Sequence, residues 1–167
     1  MKRILLLSDT HAYLDDAMLK YIAEADQIWH AGDIGNELVH EKITVLKPLK
    51  AVYGNIDDAN CRKIFPETIY FEEEGVSVLM IHIAGPFGKY NPKVNALIHT
   101  HKPKLLVCGH SHILKVAYDK KNELLYVNPG AAGKHGFHKI RTLLRFILEK
   151  GEIKNLEVIE LGNRSSL

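Results

Sequence analysis

The sequence predicts an α/β fold in which two sheets of mixed parallel and antiparallel strands pack face to face, with helices outside. Three observations predict it. Up to residue 53, short aliphatic runs alternate with helix-like segments, which implies parallel strands joined by right-handed crossovers. Beyond residue 68, β-rich runs follow one another across short polar turns, as antiparallel strands do. Five aliphatic runs, at 4–7, 27–29, 51–53, 78–81 and 105–108, each end in side chains able to bind a metal.

Taken in order, a strand at 3–8 is followed by a helix near 14–24, a strand at 27–29 and a helix near 37–45. Pro48 marks the stop after that helix, and a strand at 51–53 completes the β-α-β-α-β start. Runs 68–71 and 76–83 read as a hairpin around the acidic turn Glu72-Glu73-Glu74-Gly75. A helix near 94–101 ends before Pro103, and a buried strand at 104–108 follows. Strands at 114–119, 123–127, 142–148 and 153–160, with tight turns at 119–122 and 149–152, make this half mainly antiparallel. Residues 1–161 are expected to form one domain, with 162–167 a fraying polar tail.

Composition narrows the function. A chain of 167 residues with 46% hydrophobic and 25% charged content is long enough for a real core and ordinary for a soluble protein. A formal net charge of +2 argues against an electrostatic grip on a nucleic-acid backbone, though a local basic patch around Lys134, His138, Lys139 and Arg141 stays open. The first apolar run is too short for a secretory signal, and none approaches the ~20 apolar residues of a membrane span. Cys61, in a polar stretch, and Cys108, ending a buried strand, read as isolated thiols. A reducing cytoplasm is the expected location, and the oligomeric state is open.

The chemistry lies in five motifs: Ser8-Asp9-Thr10-His11, Ala31-Gly32-Asp33, Gly54-Asn55-Ile56-Asp57, His82, and Gly109-His110-Ser111-His112. Asp9 and His11 stand at i and i+2, as do His110 and His112, a spacing that in extended chain puts both side chains on one face. The carboxylate of Asp33 has two oxygens and can touch two cations; Asn55 offers a neutral amide oxygen. Each motif alone reads equally well as a polar turn, and His82 alone as a hydrogen-bonded core residue. Together, seven ligand-capable side chains fall at successive strand ends, where one crevice can gather them. Mixed imidazole and oxygen donors suit Mn, Fe, Zn, Co or Ni better than Ca, and the cysteine count excludes a thiolate-based structural zinc.

The order D-x-H, GD, GN-x-D, H, GH-x-H resembles that of the calcineurin-like metallophosphoesterases, and the chain looks like their compact bacterial and archaeal phosphodiesterase branch. The resemblance runs from Asp9 to about Arg141. It includes His82-Ile83-Ala84-Gly85, Gly88-Lys89-Tyr90-Asn91-Pro92 and Asn128-Pro129-Gly130-Ala131-Ala132-Gly133. It implies an α/β/β/α sandwich and two divalent ions, Mn above the other candidates. One ion would be held by Asp9, His11, Asp33 and His112, the other by Asp33, Asn55, His82 and His110, with Asp33 bridging. Such ions sit ~3.5–4 Å apart and lower the pKa of bound water toward ~7. A bridging hydroxide would then attack the phosphorus of a small-molecule phosphodiester in line, with Asp33, Asn55 and His110 the catalytic side chains and Asp57 orienting a ligand from behind. Formal charges at such a site sum to roughly +1, which suits a monoanionic diester. Competing readings are a phosphomonoesterase or nucleotidase on the same site, a redox or oxygen-activating metal protein, and a non-catalytic interaction scaffold of the kind that a retromer subunit among the relatives represents.

One departure bears on mechanism. Phosphoprotein-phosphatase relatives carry a His after the motif Asn, where this chain has Ile56. A hydrocarbon cannot protonate a leaving group, a role worth ~10²–10⁴-fold in rate. The sequence leaves open whether Asn128-Pro129-Gly130 is a plain turn or part of a rim with Lys134, His135 and His138. It also leaves open whether Tyr13, Tyr53 and Tyr90 stack on a substrate or only pack.

Overall fold

The aliphatic run at 4–7 is buried on both faces in the computed structural model of the chain, which describes residues 1–165. Ile4 and Leu6 point to the layer between two sheets, Leu5 and Leu7 to the layer under helices. A strand buried on both sides has no polar alternation, which is why this segment reads as unbroken hydrocarbon. The elements run β1 (Lys2–Leu7), α1 (Asp16–Glu24), β2 (Gln27–His30), α2 (Glu37–Leu46), β3 (Leu49–Ala51), α3 (Ala59–Ile64), β4 (Thr68–Glu73), β5 (Val76–Ile81), α4 (Pro92–His101), β6 (Leu105–Val107), β7 (Leu114–Asp119), β8 (Leu124–Pro129), β9 (Ile140–Glu149) and β10 (Glu152–Asn163).

The strands form two five-stranded sheets, ordered β10-β9-β1-β2-β3 and β4-β5-β6-β8-β7. Trp29, Phe146, Val78, Met80, Val107 and Val127 fill the space between them. α1, α2 and α3 cover the outer face of the first sheet through Met18, Ile22, Val39, Ile43 and Cys61. α4 covers the second through Val94 and Ile98. The architecture is the expected α/β/β/α sandwich. β1-β2-β3 are parallel, as expected, and β9 lies antiparallel beside β1.

Several boundaries differ, for identifiable reasons. α1 begins at Asp16 instead of 14, because the Asp15 carboxylate accepts the Met18 N–H and caps the helix there. α4 begins two residues earlier than expected, with Asn91 as cap and Pro92 in the first turn, where proline's missing N–H is harmless. β3 is Leu49–Ala51 and not 51–53. The six-residue α3, capped by Asp58, is too short to show helical periodicity; it buries Cys61, which the sequence places in a polar stretch. The second half is less antiparallel than expected, since β8 folds back from edge strand β7 and inserts parallel to β6, itself parallel to β5. β10 extends to Asn163, two residues into the stretch expected to fray, and Arg164 N–H bonds the Lys139 carbonyl. The rest of that tail, 166–167, lies outside the described residues.

Candidate metal centre

The loops that leave β1, β2, β5 and β6 are stitched together by their own backbone. Asp9 N–H donates to the Gly32 carbonyl and His11 N–H to the Asp33 carbonyl, both at 3.0 Å, so pairing of β1 with β2 continues past the strands. Gly109 N–H donates to the His82 carbonyl at 3.0 Å and does the same for β5 and β6. Within these loops Asp9, His11, Asp33, His110 and His112 have φ values of 54°, 44°, 54°, 70° and 60°. Asp9 with His11, and His110 with His112, therefore do not converge by alternation along extended chain. Left-handed backbone, sparsely populated by residues with a Cβ and costing ~1–3 kcal/mol each, turns them inward. The glycines of the motifs have a steric role here. A Cβ on Gly54 would collide with Asp33 Oδ1, and one on Gly109 with Ser8 Oγ.

The side chains meet in two groups that could each hold a metal ion: Asp9, His11 and His112, and Asp33, His82 and His110. In each, the ligand atoms lie within 4.8 Å of one another. Asp9 Oδ1 is 3.1 Å from His112 Nε2. Asp33 Oδ2 lies 3.4 Å from His11 Nε2 and 3.3 Å from His82 Nε2, one imidazole from each group. A single carboxylate oxygen between the two groups is where a shared ligand must be. Asn55 stands at the exposed rim, with its amide oxygen 3.0 Å from His110 Nδ1.

The outer atoms of these residues are held by protein, which leaves the inner atoms bare. Asp9 Oδ2 accepts from Ser8 Oγ at 2.7 Å and from His110 N–H at 3.1 Å. Asp33 Oδ1 accepts the Ile56 N–H at 3.1 Å. His82 Nδ1 lies 2.7 Å from the Ala31 carbonyl, a pairing that needs the proton on Nδ1 and leaves the Nε2 lone pair facing inward. Asp9 Oδ1, His11 Nε2 and His82 Nε2 are buried without a hydrogen-bond partner. Orphaned acceptors converging from the loops after β1 and β5 are what a cation would satisfy. The donor set fits a divalent metal.

Electrostatics agree. Burial pushes the Asp9 carboxyl up, but the His11 and His112 imidazoles beside it outweigh that and hold Asp9 far below the usual carboxylate range. For Asp33, burial is likewise overcome by His11 and His82. His11 moves the other way: the Asp33 and Asp9 carboxylates raise it to about 9. Burial lowers His82, and Asp33 then carries it above its ordinary value. Two carboxylates thus draw protons onto neighbouring imidazoles when no cation is there to take their place. Burial pushes the Cys61 and Cys108 thiols up to about 12, so neither offers a thiolate.

Supporting residues explain why the loops hold this shape. The hydrogen bonds of the Asp57 carboxylate go to backbone beside the ligands Asp33 and Asn55. Its buried carboxylate accepts the N–H groups of Ile34, Gly35 and Gly54 at 3.1, 2.8 and 2.8 Å, clamping the loop after Asp33 to the loop before Asn55. His30 was not apparent from sequence. Its Nδ1 accepts the Gly32 N–H and its Nε2 pairs with Thr10 Oγ1 at 2.9 Å; burial lowers its pKa to about 4, so it is neutral. A histidine inside a buried aliphatic run is the signal that could have found it. Asn128 lies within β8 and donates to the Gly109 carbonyl at 2.9 Å and to Ser111 Oγ at 3.0 Å, bracing the histidine loop. The 134–138 segment forms a rim: His135 stacks on His11 at 4.7 Å, and His138 meets His112 edge-on at 5.2 Å. Tyr90 is buried and its hydroxyl donates to Asp119, so it packs rather than greeting a ligand. Tyr13 lies under Lys134 and Arg141, and Tyr53 under Arg62.

The fold and these loops are those of a phosphoesterase family. Residues 1–151 match the calcineurin-like phosphoesterase superfamily domain, and the chain belongs to that family. It is 29% identical to a probable metallophosphoesterase of Mycoplasma pneumoniae over 163 residues, covering 93% of this chain and 96% of that protein. A second probable metallophosphoesterase, from Methanocaldococcus jannaschii, is 27% identical over 133 residues; the match covers 75% of this chain and 66%, just under two thirds, of the relative. Among solved structures, one described as a novel archaeal phosphodiesterase superposes with a TM-score of 0.70 at 22% identity, covering 95% of this chain and 99% of that one. Vps29 from Entamoeba histolytica, solved with zinc, superposes with a TM-score of 0.73 at 13% identity, covering 98% and 99%.

Proposed function

We propose that this chain is a divalent-metal-dependent phosphodiesterase acting on a small-molecule diester. The observation that carries the reading is that Asp33 Oδ2 lies 3.4 Å from His11 Nε2 and 3.3 Å from His82 Nε2, within reach of an imidazole from each of the two ligand groups. Asp9, His11, Asp33 and His112 would hold one ion, and Asp33, Asn55, His82 and His110 the other, manganese being the first candidate. Bound there, the ions would polarise the phosphoryl oxygens and supply an activated water. The chain's own residues set the rest. Asp9 and Asp33 contribute only two negative charges, so the occupied site stays cationic and attracts a phosphate monoanion. Asn55, exposed beside His110, presents an amide where an ester oxygen can approach. Ile56 is 45% exposed at the mouth and offers no proton, so leaving groups must depart as stable anions. The likeness to an archaeal phosphodiesterase supports the diester reading, and the two buried, unpaired thiols support a reducing cytoplasm.

The Vps29 neighbours favour a second reading, an interaction scaffold. Against it stands the complete set of seven ligand-type side chains. Turnover of 4-nitrophenyl phosphate and bis(4-nitrophenyl) phosphate by metal-free protein supplied with each divalent ion in turn separates the readings. The diester should be hydrolysed faster, and rates along an aryl diester series should fall as leaving-group pKa rises. Preference for the monoester would make the chain a phosphomonoesterase, and no turnover with any ion would favour the scaffold.

A further inference from the structure

Beside the metal centre lies a cavity of about 430 Å³ that the reading above leaves without a role. Ile83, Pro86, Phe87, Tyr126 and Ile113 form most of its wall, with Lys115 at one side. It adjoins the site: His110, Ser111 and Ile113 line both this cavity and the mouth over the ligand groups. A group attached to a phosphorus atom at the metals can therefore enter it without leaving the protein surface. We propose that this cavity is the subsite for one ester group of the substrate, and that the group it takes is a flat aromatic ring.

Three features carry the proposal, which rests on the phosphodiesterase reading. The first is the wall's chemistry. Phe87 and Tyr126 meet edge to face with centroids 5.4 Å apart, and Tyr126 stacks on Tyr90 at 6.2 Å, so a further ring extends an existing aromatic array. Lys115 Nζ lies 4.9 Å from the Phe87 centroid and can face a second π-surface in the same way. The second is preorganisation. The loop carrying Phe87 is closed on itself by Asn91 N–H to the Ala84 carbonyl at 3.0 Å and Asn91 Nδ2 to the Ile83 carbonyl at 2.9 Å. The Tyr90 hydroxyl anchors it to Asp119 Oδ2 at 2.8 Å. A ring entering here orders little that is not already ordered. The third is contrast: the groove on the other side of Ile83, about 250 Å³, carries Arg62 and Glu67 beside Asn55 and His82. The two ester positions of a diester thus meet different surroundings, and the apolar one is beside His110.

The test compares bis(4-nitrophenyl) phosphate with methyl 4-nitrophenyl phosphate, which share a leaving group and differ only in the other ester arm. The manganese-loaded protein should show a KM about tenfold lower for the bis-aryl ester, the scale on which an apolar pocket discriminates. Phe87→Ala should shrink that preference to about twofold, and Phe87→Leu, which keeps the loop packed, should fall between. Binding of the slowly reacting diphenyl and dimethyl phosphates, followed by calorimetry on the same proteins, gives a readout independent of hydrolysis. Diphenyl phosphate should bind about tenfold tighter, and less so in Phe87→Ala. Equal affinity for the two, or a preference untouched by both Phe87 variants, overturns the subsite. Absence of hydrolysis with the binding preference intact would instead overturn the phosphodiesterase reading and leave the aromatic subsite standing.

Discussion

The two ends of the sandwich use the same backbone conformation for opposite purposes. At the end away from the metal centre, Glu74 and Lys150 have positive φ, and both sit in hairpin turns followed by glycine. These turns are tied together: Gly151 N–H donates to the Glu74 carbonyl, the N-terminal ammonium pairs with Glu74, and Lys2 pairs with Glu73. At the metal end, positive φ falls on the buried Asp9 and Asp33 and on three histidines, and Asp9 Oδ1 and His11 Nε2, aimed inward, have no hydrogen-bond partner. Among the described residues, five buried side-chain atoms lack a hydrogen bond, and Asp9 Oδ1, His11 Nε2, His82 Nε2 and His138 Nδ1 all belong to this end. An unsatisfied buried polar group costs about 1–3 kcal/mol. One end is complete as protein; the other leaves bare acceptors that cations would satisfy.

The largest expected effect breaks the contrast outright. Removing metal with a chelator should abolish hydrolysis, and restoring a divalent ion should recover it while raising the melting temperature by roughly 5–10 °C at about 100 times the dissociation constant. Asp33→Ala should lower kcat by about 10³-fold or more, since it removes the carboxylate that lies beside imidazoles of both groups. Next comes Asp57→Ala, which strips the acceptor from three backbone N–H groups. It should destabilise the protein by about 2–4 kcal/mol in urea melts and weaken metal affinity about 10–100-fold.

The pH response sharpens the comparison further. In metal-free protein the folded pKa of His11 is raised to about 9, above the unfolded value near 6.5. Its stabilisation is therefore fully present below about pH 6.5 and is lost as pH rises toward 9. Metal binding requires the deprotonated imidazole, so stabilisation by metal grows over the same range. Melting temperatures of the two forms should diverge between pH 6.5 and 9, and parallel curves would show that His11 is not at a cation site. The smallest effect belongs to the far end: Lys2→Ala should cost at most about 1 kcal/mol and leave turnover unchanged.

Much of this was legible in the residues, for physical reasons. Strands buried on both faces announce themselves as aliphatic runs, and the site residues sit directly after them, so β1, β2 and β5 and their Asp and His side chains could be found from order alone. The means of convergence could not. Spacing of i, i+2 suggested extended chain at Asp9–His11, whereas left-handed φ at both residues is imposed by hydrogen bonds to the loop after β2, which are long-range. Sequence places Asp57 behind a ligand; only the fold shows that it grips backbone of two loops at once. The insertion of β8 between β6 and β7 was equally hidden, since a hairpin signal fixes which strands are consecutive and says nothing about which strand pairs on the far side.

Anomalous X-ray scattering from crystals of the manganese-soaked protein tests the central claim most directly. Two peaks should appear, one among Asp9, His11 and His112 and one among Asp33, His82 and His110, with Asp33 within coordinating distance of both. A single peak out of reach of Asp33, or none at saturating manganese, would contradict the account.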